Sequence, residues 1–447
     1  MHPEISEAER FPILTPEGRR FLHALREHPQ APRWNWPNGE QLDEQGLQRV
    51  IEFAEALRLH DPDPRDGLPD WIPGFADFCL DEVPFYRQRT SAGTAFDDIP
   101  SCSRDDLAPT VWSFVPDSQP LDHLIVFSSS GTTGHPAKMP THPWTAACGV
   151  PLLEQALATY GVELPRGVDQ VALTNIVSYP GAYTTAIVVA WLQEAGCLRV
   201  NLESGVWRDV ADRKAYIDHW DAPVILGDPL AFRSLNAVDL DTQPRALMSS
   251  IATLTPAFKD DLERRYGAPV FDMYALTEAG IVAVGTEHGF EVLPHDLYVE
   301  VLDEHDQPCP EGVRGEITLT GGRNPFCPLL RYRTGDFASL IHQGGRCRLI
   351  DLEGRDPVLF RTPDGRAIHS MEVSRALRRL PLIQFSLSQN SGTEFEFQYL
   401  GDVNEEQIRA ELAELFGGEA DFEIAEVESD PRGRKLVQYR GLPHSAG

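Results

Sequence analysis

The sequence predicts an α/β protein: a large multi-subdomain N-terminal α/β domain with parallel sheets and a β-rich subdomain, then a small α+β C-terminal domain. Three observations carry this. From Leu121 onward, short apolar runs (171–174, 198–200, 223–226, 270–273) alternate with amphipathic stretches (144–160, 183–194, 256–266), the texture of strands and helices around a parallel sheet. From about residue 290, strand-like segments at 297–302, 315–320 and 346–351 follow one another closely through Gly and Pro turns. After Gly354, a polar linker leads to a Pro363-Asp364-Gly365 turn and an amphipathic segment from Met371 to Leu377.

At 447 residues the chain exceeds what one core usually holds, so more than one domain is expected. Residues 1–120 read as a helical lead-in in which Pro-rich punctuation separates amphipathic stretches such as 42–59, where Leu47, Val50, Ile51 and Ala54 share a face. Nothing catalytic is evident there. Asp105 and Asp106 look like cap signals before a short helix. The expected division is 1–355 for the large domain and 356–447 for the small one.

A formal net charge of −29 argues against nucleic acid or an anionic membrane surface as partner. An anionic substrate would need basic residues placed locally against that field. Seven scattered cysteines form no C-x-x-C pair and read as reduced thiols. The first twenty residues lack an apolar secretory core, and the longest apolar run, 186–192, is too short to span a bilayer, so a cytoplasmic location is expected.

Four stretches carry chemistry. Ser128-Ser129-Ser130-Gly131-Thr132-Thr133-Gly134-His135-Pro136-Ala137-Lys138 follows the apolar run 124–127, which reads as a short buried strand. Hydroxyls, glycines and a lysine after a strand can cradle phosphate; the alternative is a solvated turn, and the spacing is not that of a Walker loop. Tyr274-Ala275-Leu276-Thr277-Glu278 follows the strand at 270–273, at the sheet edge where open α/β folds bind ligands. Glu278 there is either a Mg²⁺ ligand or a capping carboxylate. In Arg331-Tyr332-Arg333-Thr334-Gly335-Asp336, Asp336 could take both ribose hydroxyls and Arg331 or Arg333 could face phosphate; otherwise this is a turn whose arginines pair with neighbouring acids. Gly354-Arg355-Asp356 opens the last segment.

In this order and spacing the four stretches resemble the adenylate-forming superfamily of acyl-CoA synthetases, adenylation domains and luciferases. Val83-Pro84-Phe85-Tyr86-Arg87 and residues 330–336 look most like its phenylacetate–CoA ligase branch. The resemblance implies an ATP-dependent enzyme that joins a small acid to AMP and passes the acyl group to coenzyme A. Lys138, Thr132, Thr133 and the hydroxyls of Ser128 to Ser130, with Gly131 and Gly134, would hold the β- and γ-phosphates. Thr277 would contact the α-phosphate, Glu278 would bind Mg²⁺, Tyr274 would lie against adenine, and Asp336 and Arg355 would hold ribose. The resemblance places a hinge at Asp356 and a catalytic lysine near Gly433-Arg434-Lys435. There the usual Gly-Lys is Gly-Arg, leaving Lys435 and Arg434 as rivals for the role.

The acyl pocket is expected from residues 175–183, Tyr179, Gly181 and Tyr183 among them, and from 274–280, including Ala275 and Gly280. Their mix of aromatic, apolar and small side chains suits a compact, aromatic acid. Ser250-Ile251-Ala252 replaces the branch's usual Gly-Ala-Glu. With His288 and His295 but no cysteine after the Tyr-x-x-Thr-Glu motif, no structural zinc is expected. An amine, a carrier-protein thiol or another small nucleophile is the alternative acceptor; a silent nucleotide-binding protein is the reading outside catalysis. A second copy of the chain is a further candidate partner.

Overall fold

The computed structural model describes residues 5–59, 68–128, 137–252, 254–293, 296–343, 345–354, 358–428 and 438–442. A two-residue strand β1 (Cys102–Ser103) and a hairpin of β2 (Ile125–Ser128) and β3 (Lys138–Thr141) come first. Then follow β4 (Val171–Val177), β5 (Thr185–Val189), β6 (Ala195–Asn201), β7 (Val224–Gly227), β8 (Ala246–Ser249) and β9 (Val270–Leu276). Next come β10 (Gly280–Thr286), β11 (Gly289–Val292), β12 (Leu297–Leu302), β13 (Arg314–Gly321), β14 (Leu329–Gln343) and β15 (Arg346–Glu353). The C-terminal part holds β16 (Leu359–Arg361), β17 (Ala367–His369), β18 (Leu382–Gln389), β19 (Glu394–Gly401), β20 (Asp421–Glu426) and β21 (Tyr439–Arg440).

β6, β4, β7, β8 and β9 lie side by side and pair in parallel, with β5 antiparallel on the outer edge. Such strands are covered on both faces, so they must be apolar throughout; β8 (Ala-Leu-Met-Ser) is buried along its whole length. The crossover helix Pro256–Tyr266 shows how the ends are set. Thr255 caps its start by accepting from the Phe258 N–H, Pro256 takes the first helical position, and Gly267 at φ +62° stops it.

The β-rich part is continuous with this sheet. β9 also pairs antiparallel with β10, and the order runs on through β11, β15, β14, β13 and β12, making thirteen strands with β1 beside β14. Beyond it, β20, β19, β18 and β21 form a separate four-stranded sheet with its own core around Phe395, Phe397, Leu412 and Phe416. Two of its residues, Ile383 and Leu400, are instead buried in the first unit's core with Leu254 and Phe258, and the Thr255 hydroxyl donates to the Leu382 carbonyl at 2.9 Å. Arg375 reaches back to Asp351 at 2.7 Å.

Several expectations are corrected. Residues 183–194 are not helical: Thr185–Val189 is a strand and Ala190–Leu192 a single tight turn. Thr-Ala-Ile-Val-Val is β-branched at four of five positions, and the χ1 stiffness of those residues favours the pleat. The run 124–127 is not a buried strand, because Val126 and Phe127 in β2 are half exposed. Asp336 sits within the long strand β14, with Gly335 at φ +79° supplying an irregularity there and not a separate turn. Asp105 and Asp106 lie inside the helix Arg104–Leu107 and not before it; Ser103 is the cap residue, and Asp106 takes part in the cap by accepting from the Ser103 N–H at 2.9 Å. All seven cysteines are free thiols. Among the described residues no helix is long and apolar enough to cross a membrane.

Burial pushes two carboxyls up to about 7: Glu40, whose carboxylate accepts from the Ala190 N–H, and Glu300, which faces Arg331 at 3.9 Å. An acid raised in the folded state binds its proton there first, so its ionisation costs stability as pH rises from the unfolded value toward 7. Glu40→Gln removes that cost. Thermal unfolding should show no difference from wild type near pH 4.5 and a gain of about 1–3 kcal/mol above pH 7.5; a constant difference across that range would refute the assignment.

Candidate active site

Parallel pairing on one side of β9 and antiparallel pairing on the other bring Tyr274, the turn Thr277-Glu278-Ala279 and the middle of β14 together. Tyr274 lies inside β9, not after it, so its side chain has a fixed face. That ring is buried, and its hydroxyl donates to Asp336 Oδ2 at 2.7 Å. Burial and the Asp336 charge hold its pKa well above the usual phenol range, so it stays a donor at any physiological pH. The Thr334 hydroxyl accepts from the Asp336 N–H at 3.1 Å, and a Cβ on Gly354 would come within 3.1 Å of Asp336 Oδ1, so the chain approaches this carboxylate closely from β15.

Glu278 and Ala279 are buried in the turn, while Thr277, Ala275 and Gly280 are exposed around them. The Tyr332 hydroxyl donates to Glu278 Oε1 at 3.3 Å, and Arg104 lies 3.7 Å from the same oxygen. The lead-in held no chemistry on sequence grounds, yet it delivers this arginine from the helix Arg104–Leu107; no motif marks it, and only the fold brings it to Glu278.

Across the carboxyl edge, Ser128 and Lys138 are register partners in the β2–β3 hairpin, both exposed, so they flank the mouth of the connecting loop. The predicted phosphate residues Ser129, Ser130, Gly131, Thr132, Thr133 and Gly134 fall outside the described residues, as do Arg355, Asp356, Arg434, Lys435 and His295. His288 is exposed in the β10–β11 turn.

The two arginines of the third motif do not face phosphate. Arg331 is fully buried at φ +48° and donates to the carbonyls of Asp97, Ile99 and Asp306. Arg333 pairs with Asp306 at 2.6 Å and Glu316 at 2.7 Å and donates to Ser101 Oγ. Both hold the lead-in to the sheet, Arg331 through its two Nη atoms and Arg333 through all three guanidinium nitrogens. Of the pocket residues, Tyr179 and Gly181 follow β4, three strands from β9 with β8 and β7 between. The Tyr179 carbonyl accepts from the Asn201 amide. Tyr183 is turned to the outer side, its ring 4.1 Å from the Arg199 guanidinium. Ile251 follows β8, 62% exposed at φ +76°, an unfavoured conformation for a β-branched side chain.

A cavity of about 1730 Å³ lies elsewhere, lined by Arg58, Trp71, Glu154 and Arg346 among others and by none of the motif side chains. Two of its arginines face acids, Arg166 on Glu154 and Arg346 on Glu291. Volume alone does not make it the site; the convergence at β9 carries the chemistry.

A nucleotide-type site at the parallel edge of such a sheet defines the class, and the sequence comparisons place the chain within it. The chain belongs to the AMP-binding enzyme family, whose model matches residues 79–324. It is similar to phenylacetate-coenzyme A ligase of Escherichia coli K12, 25% identical over 167 residues, 36% of this chain and 37% of that protein. It is also similar to indoleacetate–lysine synthetase of Pseudomonas savastanoi, 29% identical over 174 residues, 39% of this chain and 38% of that protein. The chain thus spans well under half the length of either relative. Among solved structures, 2-hydroxyisobutyryl-CoA ligase in its postadenylation state superposes with a TM-score of 0.63 at 17% identity, covering 85% of this chain and 93% of that one, which establishes a shared fold.

Two expectations follow for binding of a nonhydrolysable ATP analogue, measured by calorimetry. Tyr274→Phe, which removes the hydroxyl from Asp336 and keeps the ring, should weaken binding about 5- to 10-fold, the worth of one charge-assisted hydrogen bond. Arg333→Ala should lower the melting temperature, since it leaves two acids unpaired, while leaving analogue affinity within about 2-fold; a large affinity loss would put Arg333 back on phosphate.

Proposed function

We propose that this chain is an ATP-dependent, AMP-forming ligase that activates a small carboxylic acid and transfers the acyl group to coenzyme A. The observation that carries the reading is the Tyr274 hydroxyl fixed on Asp336 beside the Thr277-Glu278 turn at the carboxyl edge of β9. Asp336, oriented by two hydroxyl-bearing neighbours, accepts the ribose hydroxyls; Tyr274 keeps the carboxylate aimed and supplies a wall for adenine. Thr277, exposed at the turn, donates to the α-phosphate. Lys138 and the loop from Ser128 hold the β- and γ-phosphates, with Arg355 on ribose.

The acid's carboxylate oxygen attacks the α-phosphorus, the bond to the bridging β-oxygen breaks and pyrophosphate leaves with that electron pair. Acyl adenylate remains. In the second half-reaction the thiol sulfur of coenzyme A forms a bond to the acyl carbon, its proton passes to solvent, and AMP departs. Both steps need alignment and charge neutralisation more than covalent help from protein groups. Magnesium, when bound, neutralises charge on the phosphates. Glu278 would hold that ion together with phosphate and water. We place the small domain from Asp356, as hinge, onward, with Lys435 or Arg434 assisting adenylation.

For the acid we favour an aromatic one, held by Tyr179, Gly181, Ala275 and Gly280, in keeping with the arylacetates named in both relatives. An amine acceptor is the second reading, favoured by the likeness to a synthetase that joins indoleacetate to lysine.

Exchange of labelled pyrophosphate into ATP across aryl and short alkyl acids tests the first step. Exchange with at least one aryl acid is expected, falling at least about 10-fold in Lys138→Ala and in Asp336→Ala. Full exchange in both variants would defeat the assignment. Adding coenzyme A or lysine then decides the acceptor by the product formed.

A further inference from the structure

Six arginines bury Nε without a hydrogen-bond partner among the described residues: Arg104, Arg199, Arg314, Arg323, Arg331 and Arg348. Five of them engage protein oxygens through their other nitrogens: Arg104 meets Glu278, Arg314 the Asp351 carbonyl, Arg323 the Ile281 carbonyl, Arg331 the Asp97 carbonyl and Arg348 the Gln343 amide oxygen. Arg199 differs. Its contact is the face of the Tyr183 ring at 4.1 Å, and no carboxylate or carbonyl among the described residues accepts from it. In a chain of net charge −29, a guanidinium left without an acid is informative.

The register shows what surrounds it. Arg199 in β6 is the Cα partner of Thr185 in β5 on one side and of Asn175 in β4 on the other, so the three side chains stand in a row on one face of the sheet. Thr185 is only 6% exposed, and its hydroxyl is also without a partner among the described residues. Two buried polar atoms, Arg199 Nε and Thr185 Oγ1, are therefore carried on one face by neighbouring strands about 4.8 Å apart, each without a hydrogen-bond partner among the described residues. At the rim, Tyr183 is 43% and Trp36 49% exposed, their ring centroids 6.2 Å apart. The Trp36 N–H donates to the Thr184 carbonyl and Asn35 clamps Thr184 and Ala182, so the rim is held to the start of β5.

We propose that Arg199, Thr185, Tyr183 and Trp36 form a binding site for a small aromatic carboxylate at the β5–β6 edge. The planar edge of a guanidinium, Nε with one Nη, matches the two oxygens of a carboxylate; the Thr185 hydroxyl supplies a further donor, and the two exposed rings cover a flat apolar body. The site lies across β4, β7 and β8 from Tyr274 and Asp336, so it takes a carboxylate that keeps its charge, not the one being activated. It stands independently of the ligase reading.

The test is titration of the full-length protein with benzoate and phenylacetate, and with benzyl alcohol as uncharged control, followed by calorimetry and by Trp fluorescence. Saturable binding of an aryl carboxylate is expected, with benzyl alcohol at least about 10-fold weaker. Arg199→Gln should weaken that binding at least 10-fold and Thr185→Val about 3-fold, each with a melting temperature close to wild type; Arg199→Lys should recover part of the loss. Unchanged binding in folded Arg199→Gln, equal binding of the alcohol, or no binding by wild type would each overturn the proposal. Pyrophosphate exchange measured in the same variants separates the two readings, since loss of this site leaves exchange intact when the acid is activated at β9.

Discussion

The site depends on β9 having two kinds of neighbour. Its parallel bond to β8 fixes where its carboxyl end lies, at the edge where crossover connections leave room for a ligand. Its antiparallel bond to β10 forces the chain to reverse at once, through Thr277-Glu278-Ala279, with Gly280 at φ +68° completing the turn. The reversal buries Glu278 and exposes Thr277, and it leaves Tyr274 facing β14. A strand with parallel neighbours on both sides would have run into a helix here, and Asp336 would have had no tyrosine to hold it.

The second constraint is the use made of positive charge. The chain carries 39 lysines and arginines against 68 acids, so basic groups are scarce, and the structure spends Arg331 and Arg333 on pinning the lead-in. Arg331 donates to three backbone carbonyls, that of Ile99 buried and those of Asp97 and Asp306 partly so, using the fork of donors a guanidinium provides. Lys138 stands exposed at the hairpin mouth, and Arg104 lies beside Glu278.

Much of the architecture was legible in the residues. Apolar runs marked β4, β7 and β9 because parallel strands are buried on both faces, and the amphipathic stretch 256–266 marked a helix. The segment 183–194 was misread because its apolar residues satisfy a helical period as well as a strand's, and only pairing with β6 decides between them. Local sequence showed that Tyr274, Glu278 and Asp336 were chemically apt. It could not show that Tyr274 holds Asp336, nor that Arg104 meets Glu278 across 174 residues, because each contact is a product of sheet order. The partners of Arg331 and Arg333 were open for the same reason: a nearby acid and a bound phosphate look alike until distances are known.

Ile383 and Leu400 belong by chain to the last sheet and by burial to the first core. Exposing two such side chains costs about 1.5–3 kcal/mol each, as much as many proteins have in reserve. The last sheet is therefore less a free appendage than a plug. Any displacement has to bring another apolar surface over Leu254 and Phe258, so that its resting places are limited to those where grease meets grease.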